Sequence, residues 1–175
     1  SFPTRRSSDL LSSMFAEDLF KAVEAMAEVI VGAEKYRVEG GLAGRETADR
    51  VFSGTDEAIA MAVMYTANHL DVKAIVALTE SGNTPRWMSR IRSDIPIYAF
   101  TRHETTRRRV TLYRGVHPVP FDITHTSPHL VYPSIFKLLL EKKIVQDGDK
   151  VILTGGELSG VSGKTNSMTI LQVHL

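Results

Sequence analysis

A short apolar run that ends in small polar residues constrains this chain more than any other stretch. Residues 74–78 are Ala-Ile-Val-Ala-Leu, and residues 79–84 that follow are Thr-Glu-Ser-Gly-Asn-Thr. An apolar run of this length, ended by Ser-Gly, is typical of a strand buried in a parallel sheet. Thr84 before Pro85 is typical of a helix N-cap followed by the first helical position. The stretch therefore predicts a strand, a polar turn and a helix start, where unpaired N–H groups and hydroxyls suit a phosphate.

Composition narrows the class of protein. The 175 residues are 43% hydrophobic and 23% charged, which is ordinary for a globular chain. The absence of cysteine excludes disulfides, thiolate metal sites and a cysteine nucleophile. It fits a reducing compartment, so we predict a cytoplasmic protein. A net charge of +1 argues against nucleic acid as a partner. No apolar run approaches the roughly 20 residues that cross a membrane, so no membrane partner is expected.

The chain divides by pattern into four segments. Residues 1–10 show no periodicity and match the translation of a common sequencing adapter, so we interpret them as an assembly artefact. Residues 14–34 carry apolar side chains at helical spacing, and Gly32 is expected to weaken the end of that helix. Residues 36–50 are polar and glycine-bearing, which is typical of a linker. A compact domain is then expected over residues 51–175.

Strands alternate with helices in this domain, which predicts a mostly parallel sheet covered on both faces. Thr55 is expected to cap the first helix, and the apolar run that follows, up to Tyr65, is expected to be buried nearly all round. Pro118 and Pro120 limit ladder bonding, so their segment is expected to be a short strand at best. The predicted strands are 74–78, 95–100, 116–121, 151–153 and 168–174.

Ligands bind beyond the carboxyl ends of strands in such sheets. Residues 79–84 and 155–165 each follow a predicted strand and are rich in Gly, Ser and Thr. If the two strands are neighbours, these loops face each other and offer an anion hydroxyls, N–H groups and the Lys164 ammonium. The candidate phosphate-binding residues are Thr79, Ser81, Gly82, Asn83, Thr84, Gly163, Lys164 and Thr165.

The second loop is not a P-loop. That motif requires a glycine where this chain has Leu158, and a helix after Lys164, where the pattern predicts a strand. The alternatives are a flexible glycine turn and a phosphate-contacting loop of another kind. Glu80 would repel a bound phosphate unless it points away or pairs with a cation. The site is therefore expected to prefer a singly phosphorylated ligand.

Other clusters are weaker. Arg102, Arg107, Arg108 and Arg109 indicate either a solvated helix face or contact with a ligand or a neighbouring subunit. His125 and His129 are separated by Pro128, which argues against a zinc site on one helical face. No paired carboxylates or metal cluster suggest an active site, so neither catalytic nor metal-binding residues are assigned.

Three stretches resemble, in the same order, the carboxyl-terminal domain of bacterial pyruvate kinase. They are residues 51–70, 75–122 and 148–173. The resemblance covers residues 51–175, and its most specific parts are LTESG followed by Thr84, YRGV and GKTN. The segment KAVEAMAEVIVGAEK is similar to the last helix of that enzyme's catalytic barrel, so residues 11–35 are expected to be the end of a truncated barrel.

The resemblance implies a three-layer α/β/α fold whose five-stranded, mostly parallel sheet ends in an antiparallel strand. It implies a regulatory and oligomerisation domain of a homotetramer. The parent enzyme transfers phosphate from phosphoenolpyruvate to ADP in the last step of glycolysis, with magnesium and potassium. Its active site lies in the barrel, so no cofactor is expected in this stretch.

The resemblance also implies a position for the effector. The turn at 79–84 would hold its phosphate, and the loop at 155–165 would close over it. Glu80 and the length of the second loop resemble the type activated by a sugar monophosphate or AMP. The alternatives are a stand-alone phosphosugar- or nucleotide-binding module, and a structural assembly domain with a vestigial pocket.

Overall fold

The computed structural model describes residues 7–39, 51–124, 126–156 and 165–174. They fall into two compact units, Ser1–Arg50 and Val51–Leu175. Of the residues discussed above, His125, Gly163 and Lys164 lie outside the described part of the chain, as does most of the second predicted loop. Within the described part, no helix combines the length and the apolar character needed to span a bilayer.

The first unit contains one helix, α1, over Ser7–Glu39. It is longer than the predicted 14–34 at both ends, because it begins at Ser7, inside the segment interpreted as an artefact, and continues past Gly32 to Glu39. Nothing lies within 4 Å of a Cβ built at Gly32, so the glycine serves no close approach inside this unit. The large apolar side chains of α1 whose burial is described are exposed, which is typical of a helix surface that packs against further protein. These residues are Leu19, Phe20, Val23, Met26, Val29, Ile30 and Val31.

The second unit is a five-stranded sheet with helices on both sides. Its strands lie in the order β3-β2-β1-β4-β5. Strands β1 to β4 are parallel where they pair, and β5 runs antiparallel to β4. This confirms the predicted three-layer α/β/α fold with an antiparallel last strand. The strands are β1 Ala74–Leu78, β2 Ile97–Thr101, β3 Val116–Pro120, β4 Lys150–Gly155 and β5 Ser167–Gln172.

Successive side chains of β1 point to opposite faces of the sheet, as the two-residue period of a strand requires. The core is therefore divided between the two faces. Ile75 and Ala77 pack in the cluster that contains buried residues of α2, α3 and α4. Ala74 and Val76 pack in the opposite cluster with buried residues of α5. The helices are α2 Thr55–His69, α3 Asn83–Met88, α4 Glu104–Val110 and α5 Val131–Glu141, with a 3-10 helix at Pro128–Leu130.

Helix α2 differs from its prediction at two places. Thr55 is its first residue, so the N-cap is Gly54 and not Thr55. The N–H and hydroxyl of Ser53 both donate to Glu57 Oε2, at 2.8 and 2.5 Å, which secures the chain entering the helix. Tyr65 is 69% exposed, so the helix is not buried all round.

The prolines of the third strand are explained by its place in the sheet. Pro118 and Pro120 lie in β3, which pairs with β2 alone and forms one edge. A missing N–H costs no ladder bond on the open side of an edge strand.

Burial raises the pKa of Tyr98, on the neighbouring strand, above its usual 10.0, so its phenol stays protonated to higher pH than a free tyrosine.

Candidate functional site

Strands β1, β2 and β4 are each followed by polar residues at the carboxyl end of the sheet. β1 pairs in parallel with β2 on one side and with β4 on the other. Their carboxyl ends therefore lie side by side, with Leu78 opposite Phe100 and Ala77 opposite Thr154. The condition on which the predicted site depended, that the strands before the two loops are neighbours, is met.

A hydrogen bond joins the two loops directly. Thr84 Oγ1 lies 2.5 Å from Thr165 Oγ1, and the two residues are 4% and 6% exposed. A buried hydroxyl needs a partner, and here each supplies one for the other. Asn166 N–H donates to Gly155 O at 3.1 Å, so the second loop leaves and re-enters the sheet at one point. The described ends of the second loop, at Gly155 and Thr165, therefore lie beside the first loop.

The first loop is closed by its own threonine. The Gly82 N–H donates to Thr79 Oγ1 at 2.9 Å, which assigns that oxygen to shaping the turn. Gly82 has φ 82° and ψ 10°, in the left-handed region that favours glycine. It is also the N-cap of α3, so the prediction of Thr84 as N-cap is wrong. The left-handed residue that ends the turn makes the helix begin at Asn83, one residue before Thr84.

The predicted site residues differ in exposure. Ser81 and Asn83 are exposed, Thr79 is half-buried, and Gly82, Thr84 and Thr165 are buried. The turn therefore presents polar groups to solvent on a base that is packed. Residues Thr79, Ser81, Gly82, Asn83, Thr84 and Thr165 are brought together; that they bind a phosphate stays a prediction.

Glu80 has cationic partners that the sequence reasoning did not identify. Its carboxylate contacts His103 Nε2 and lies 3.4 Å from Arg102 Nε. Its backbone oxygen accepts the Thr106 hydroxyl at 2.7 Å. These residues follow the carboxyl end of β2, so the edge rule that selected the other two loops could have found them. Glu80 thus meets the stated condition of pairing with a cation.

The arginine cluster divides among different roles. Arg102 contacts Glu80, and Arg109 Nη1 lies 3.4 Å from Ser81 O. Arg108 pairs with Glu104 at 2.5 Å on an exposed face, and such surface pairs contribute little stability. Arg107 is half-buried, and its Nε has no hydrogen-bond partner among the described residues. Arg108 thus lies on a solvated face, whereas Arg102 and Arg109 reach the first loop; contact of the cluster with a ligand or a neighbouring subunit stays a prediction.

No metal centre is evident in the part of the chain that the structure describes. There, no group of three or more His, Asp or Glu side chains could hold an ion.

Trp87 packs against the core, and the guanidinium carbon of Arg90 lies 4.3 Å from the centroid of its ring.

Fold and edge geometry together define a three-layer α/β/α domain of the kind that binds ligands beyond the carboxyl ends of its strands. Residues 57–171 match the family profile described as "Pyruvate kinase, alpha/beta domain". The chain belongs to the pyruvate kinase family, of which it carries this domain. The resemblance seen in the sequence is confirmed.

Named relatives agree with this assignment. The chain is 42% identical over 155 residues to pyruvate kinase II of Salmonella typhimurium, covering 88% of the chain and 32% of that protein. It is 42% identical over 154 residues to pyruvate kinase of Buchnera aphidicola subsp. Schizaphis graminum, covering 87% and 31%. Pyruvate kinase of Staphylococcus saprophyticus is 35% identical over 150 residues, covering 86% and 25%. The chain spans about a third or less of the length of these relatives.

Proposed function

We propose that this chain is the regulatory α/β domain of a pyruvate kinase and that the turn at residues 79–84 holds the phosphate of an allosteric metabolite. The observation that carries the proposal is the hydroxyl pair of Thr84 and Thr165, which links the two predicted loops inside the matched family domain. Hydroxyl and N–H donors on a packed base suit a phosphate, because they need not be ordered when it binds.

The whole enzyme, in this proposal, makes pyruvate and ATP from phosphoenolpyruvate and ADP with magnesium and potassium. It works in the cytoplasm as a homotetramer. Support comes from the names of the relatives. The reading frame that contains residue 11 tests it: the encoded protein should form pyruvate from phosphoenolpyruvate. A frame that encodes no barrel before this residue would favour a stand-alone binding module.

We propose a sugar monophosphate or AMP as the effector class. Glu80 is the acidic residue of the turn and offsets the charge of Arg102, which leaves less positive charge there for a second phosphate. Calorimetry with glucose 6-phosphate, ribose 5-phosphate, AMP and fructose 1,6-bisphosphate separates the classes. Tighter binding of the bisphosphate would contradict this effector class, and binding of none would favour a purely structural domain.

Thr84→Val is expected to weaken glucose 6-phosphate binding about tenfold or more. The valine keeps the shape but removes the hydroxyl that joins the two loops, and leaving the buried Thr165 hydroxyl without this partner costs about 1–3 kcal/mol and frees the second loop from the turn. The measurement is the Kd by calorimetry on the 175-residue chain. Thr84→Ser is the matched control, because it keeps the hydroxyl, and it should bind with nearly the affinity of wild type. Equal affinities for the valine and serine variants would remove Thr84 from the site.

A further inference from the structure

Glu80 is held at two atoms, its backbone oxygen and Oε2, by residues that follow β2. The Thr106 hydroxyl donates to its backbone oxygen at 2.7 Å. Its Oε2 contacts His103 Nε2, and Arg102 approaches the same oxygen with Nε and Nη2, each at 3.4 Å. The side chains of Glu80, Arg102 and His103 are 32%, 40% and 43% exposed. The carboxylate of the proposed effector turn is therefore contacted by one guanidinium and one imidazole.

Among the described residues, the other charged side chains near the turn contact groups other than the Glu80 carboxylate, and Arg107 on α4 has a buried Nε without a hydrogen-bond partner. On α4, Glu104 pairs with Arg108, and Arg109 reaches the backbone oxygen of Ser81. After β3, Asp122 accepts the Thr124 hydroxyl at 2.6 Å, and Arg102 Nη1 lies 3.4 Å from that same Thr124 oxygen. Arginine stays charged at every physiological pH. Among the described groups in contact with the Glu80 carboxylate, the imidazole is thus the one whose residue type can gain or lose a charge near neutral pH.

We propose that His103 is a specificity-determining residue of the effector site, which neutralises Glu80 and makes phosphate binding at the turn depend on proton concentration. The proposal rests on the proposed binding of phosphate at residues 79–84. Protonated, His103 and Arg102 together outweigh the one negative charge of Glu80, so the turn accepts a phosphate dianion. Deprotonated, His103 still contacts Glu80 but no longer offsets its charge. For a given charge state of the phosphate monoester, affinity through this pair is then higher with the imidazole protonated than with it neutral.

His103→Gln separates the charge of the imidazole from its contact. The glutamine amide can donate to Glu80 but does not titrate. His103 is the N-cap of α4 and makes no side-chain cap bond, so the change removes no cap. His69→Gln is the matched control, because its exposed ring contacts the Tyr65 backbone oxygen instead of Glu80.

The test is the Kd of the 175-residue chain for glucose 6-phosphate, measured by calorimetry at pH 5.8 and pH 8.0. The phosphate of the ligand titrates in the same range, but it does so equally for every variant. The ratio of the His103→Gln Kd to the wild-type Kd therefore reports the histidine. An exposed ion pair of this kind predicts a ratio near 1 at pH 8.0 that rises about two- to fivefold at pH 5.8. The His69→Gln ratio should stay near 1 at both.

A second readout is proton uptake. Calorimetry in buffers of different ionisation enthalpy should show more protons bound per ligand for wild type than for His103→Gln near pH 6.5. If the two proteins bind the ligand with the same pH dependence and the same proton uptake, the inference is wrong while the proposed function stands. If wild type binds no phosphate monoester at either pH, both are overturned.

Discussion

Phe100→Ala is expected to lower the free energy of unfolding by about 3–5 kcal/mol, the cost typical of removing a buried aromatic ring. Phe100 is 2% exposed, and its ring meets Phe121 edge-on, with centroids 5.5 Å apart. The alanine leaves a cavity beside β2, the strand whose end carries Arg102 and His103. The measurement is urea unfolding followed by fluorescence. The chain has one tryptophan, Trp87, which lies in the sheet-containing unit and so reports its unfolding.

Leu112→Ala is the matched control, because this apolar side chain is 85% exposed. Its effect should stay within about 0.5 kcal/mol, as is usual for surface substitutions. A loss below about 1 kcal/mol for Phe100→Ala would mean that the two aromatic rings do not pack as described.

Gly82→Ala is expected to cost about 2–4 kcal/mol of stability and to abolish measurable glucose 6-phosphate binding in the proposed site. A left-handed conformation costs a non-glycine residue about 1–2 kcal/mol. The added Cβ would also lie 3.0 Å from Val110 Cγ1 and 3.3 Å from Thr106 Cγ2, so these two side chains of α4 must give way by a few tenths of an ångström. Such overpacking typically costs a further 1–3 kcal/mol. The turn and the helix that positions it would move together.

Gly115→Ala distinguishes the two causes. Gly115 also has a positive φ, of 68°, but nothing lies within 4 Å of a Cβ built there. It should lose only the conformational part, about 1–2 kcal/mol, and keep effector binding. Equal losses in urea unfolding for the two variants would show that the close packing of Gly82 on α4 contributes nothing.

Much of the fold could be predicted because local patterns and position in the sheet agreed. Residues 74–78 form β1 with the predicted bounds, since an apolar run flanked by polar residues has few alternatives. The helix starts were less predictable. Thr55 and Thr84 look like caps, but each lies inside its helix after a glycine N-cap. A threonine hydroxyl can bond elsewhere, as that of Thr84 does with Thr165 across the sheet edge.

The candidate site could be predicted as two loops but not as a complete set of contacts. Which strands are neighbours depends on the topology, and β1 lies beside β4 although most of the domain separates them in sequence. The partners of Glu80 lie 22 and 23 residues further along the chain. No periodicity links such positions. Local pattern identified the charged group but not the groups that neutralise it.

The central claim is that the turn at residues 79–84 and the loop end at Thr165 hold one phosphate. Its most direct test is a titration of the ¹⁵N-labelled chain with glucose 6-phosphate, followed by amide NMR shifts. The account predicts the largest shifts at Ser81, Gly82, Asn83 and Thr165. The account would be contradicted if these amides did not move. That holds whether the shifts appeared near residues 146–149, at the amino ends of the parallel strands, or nowhere.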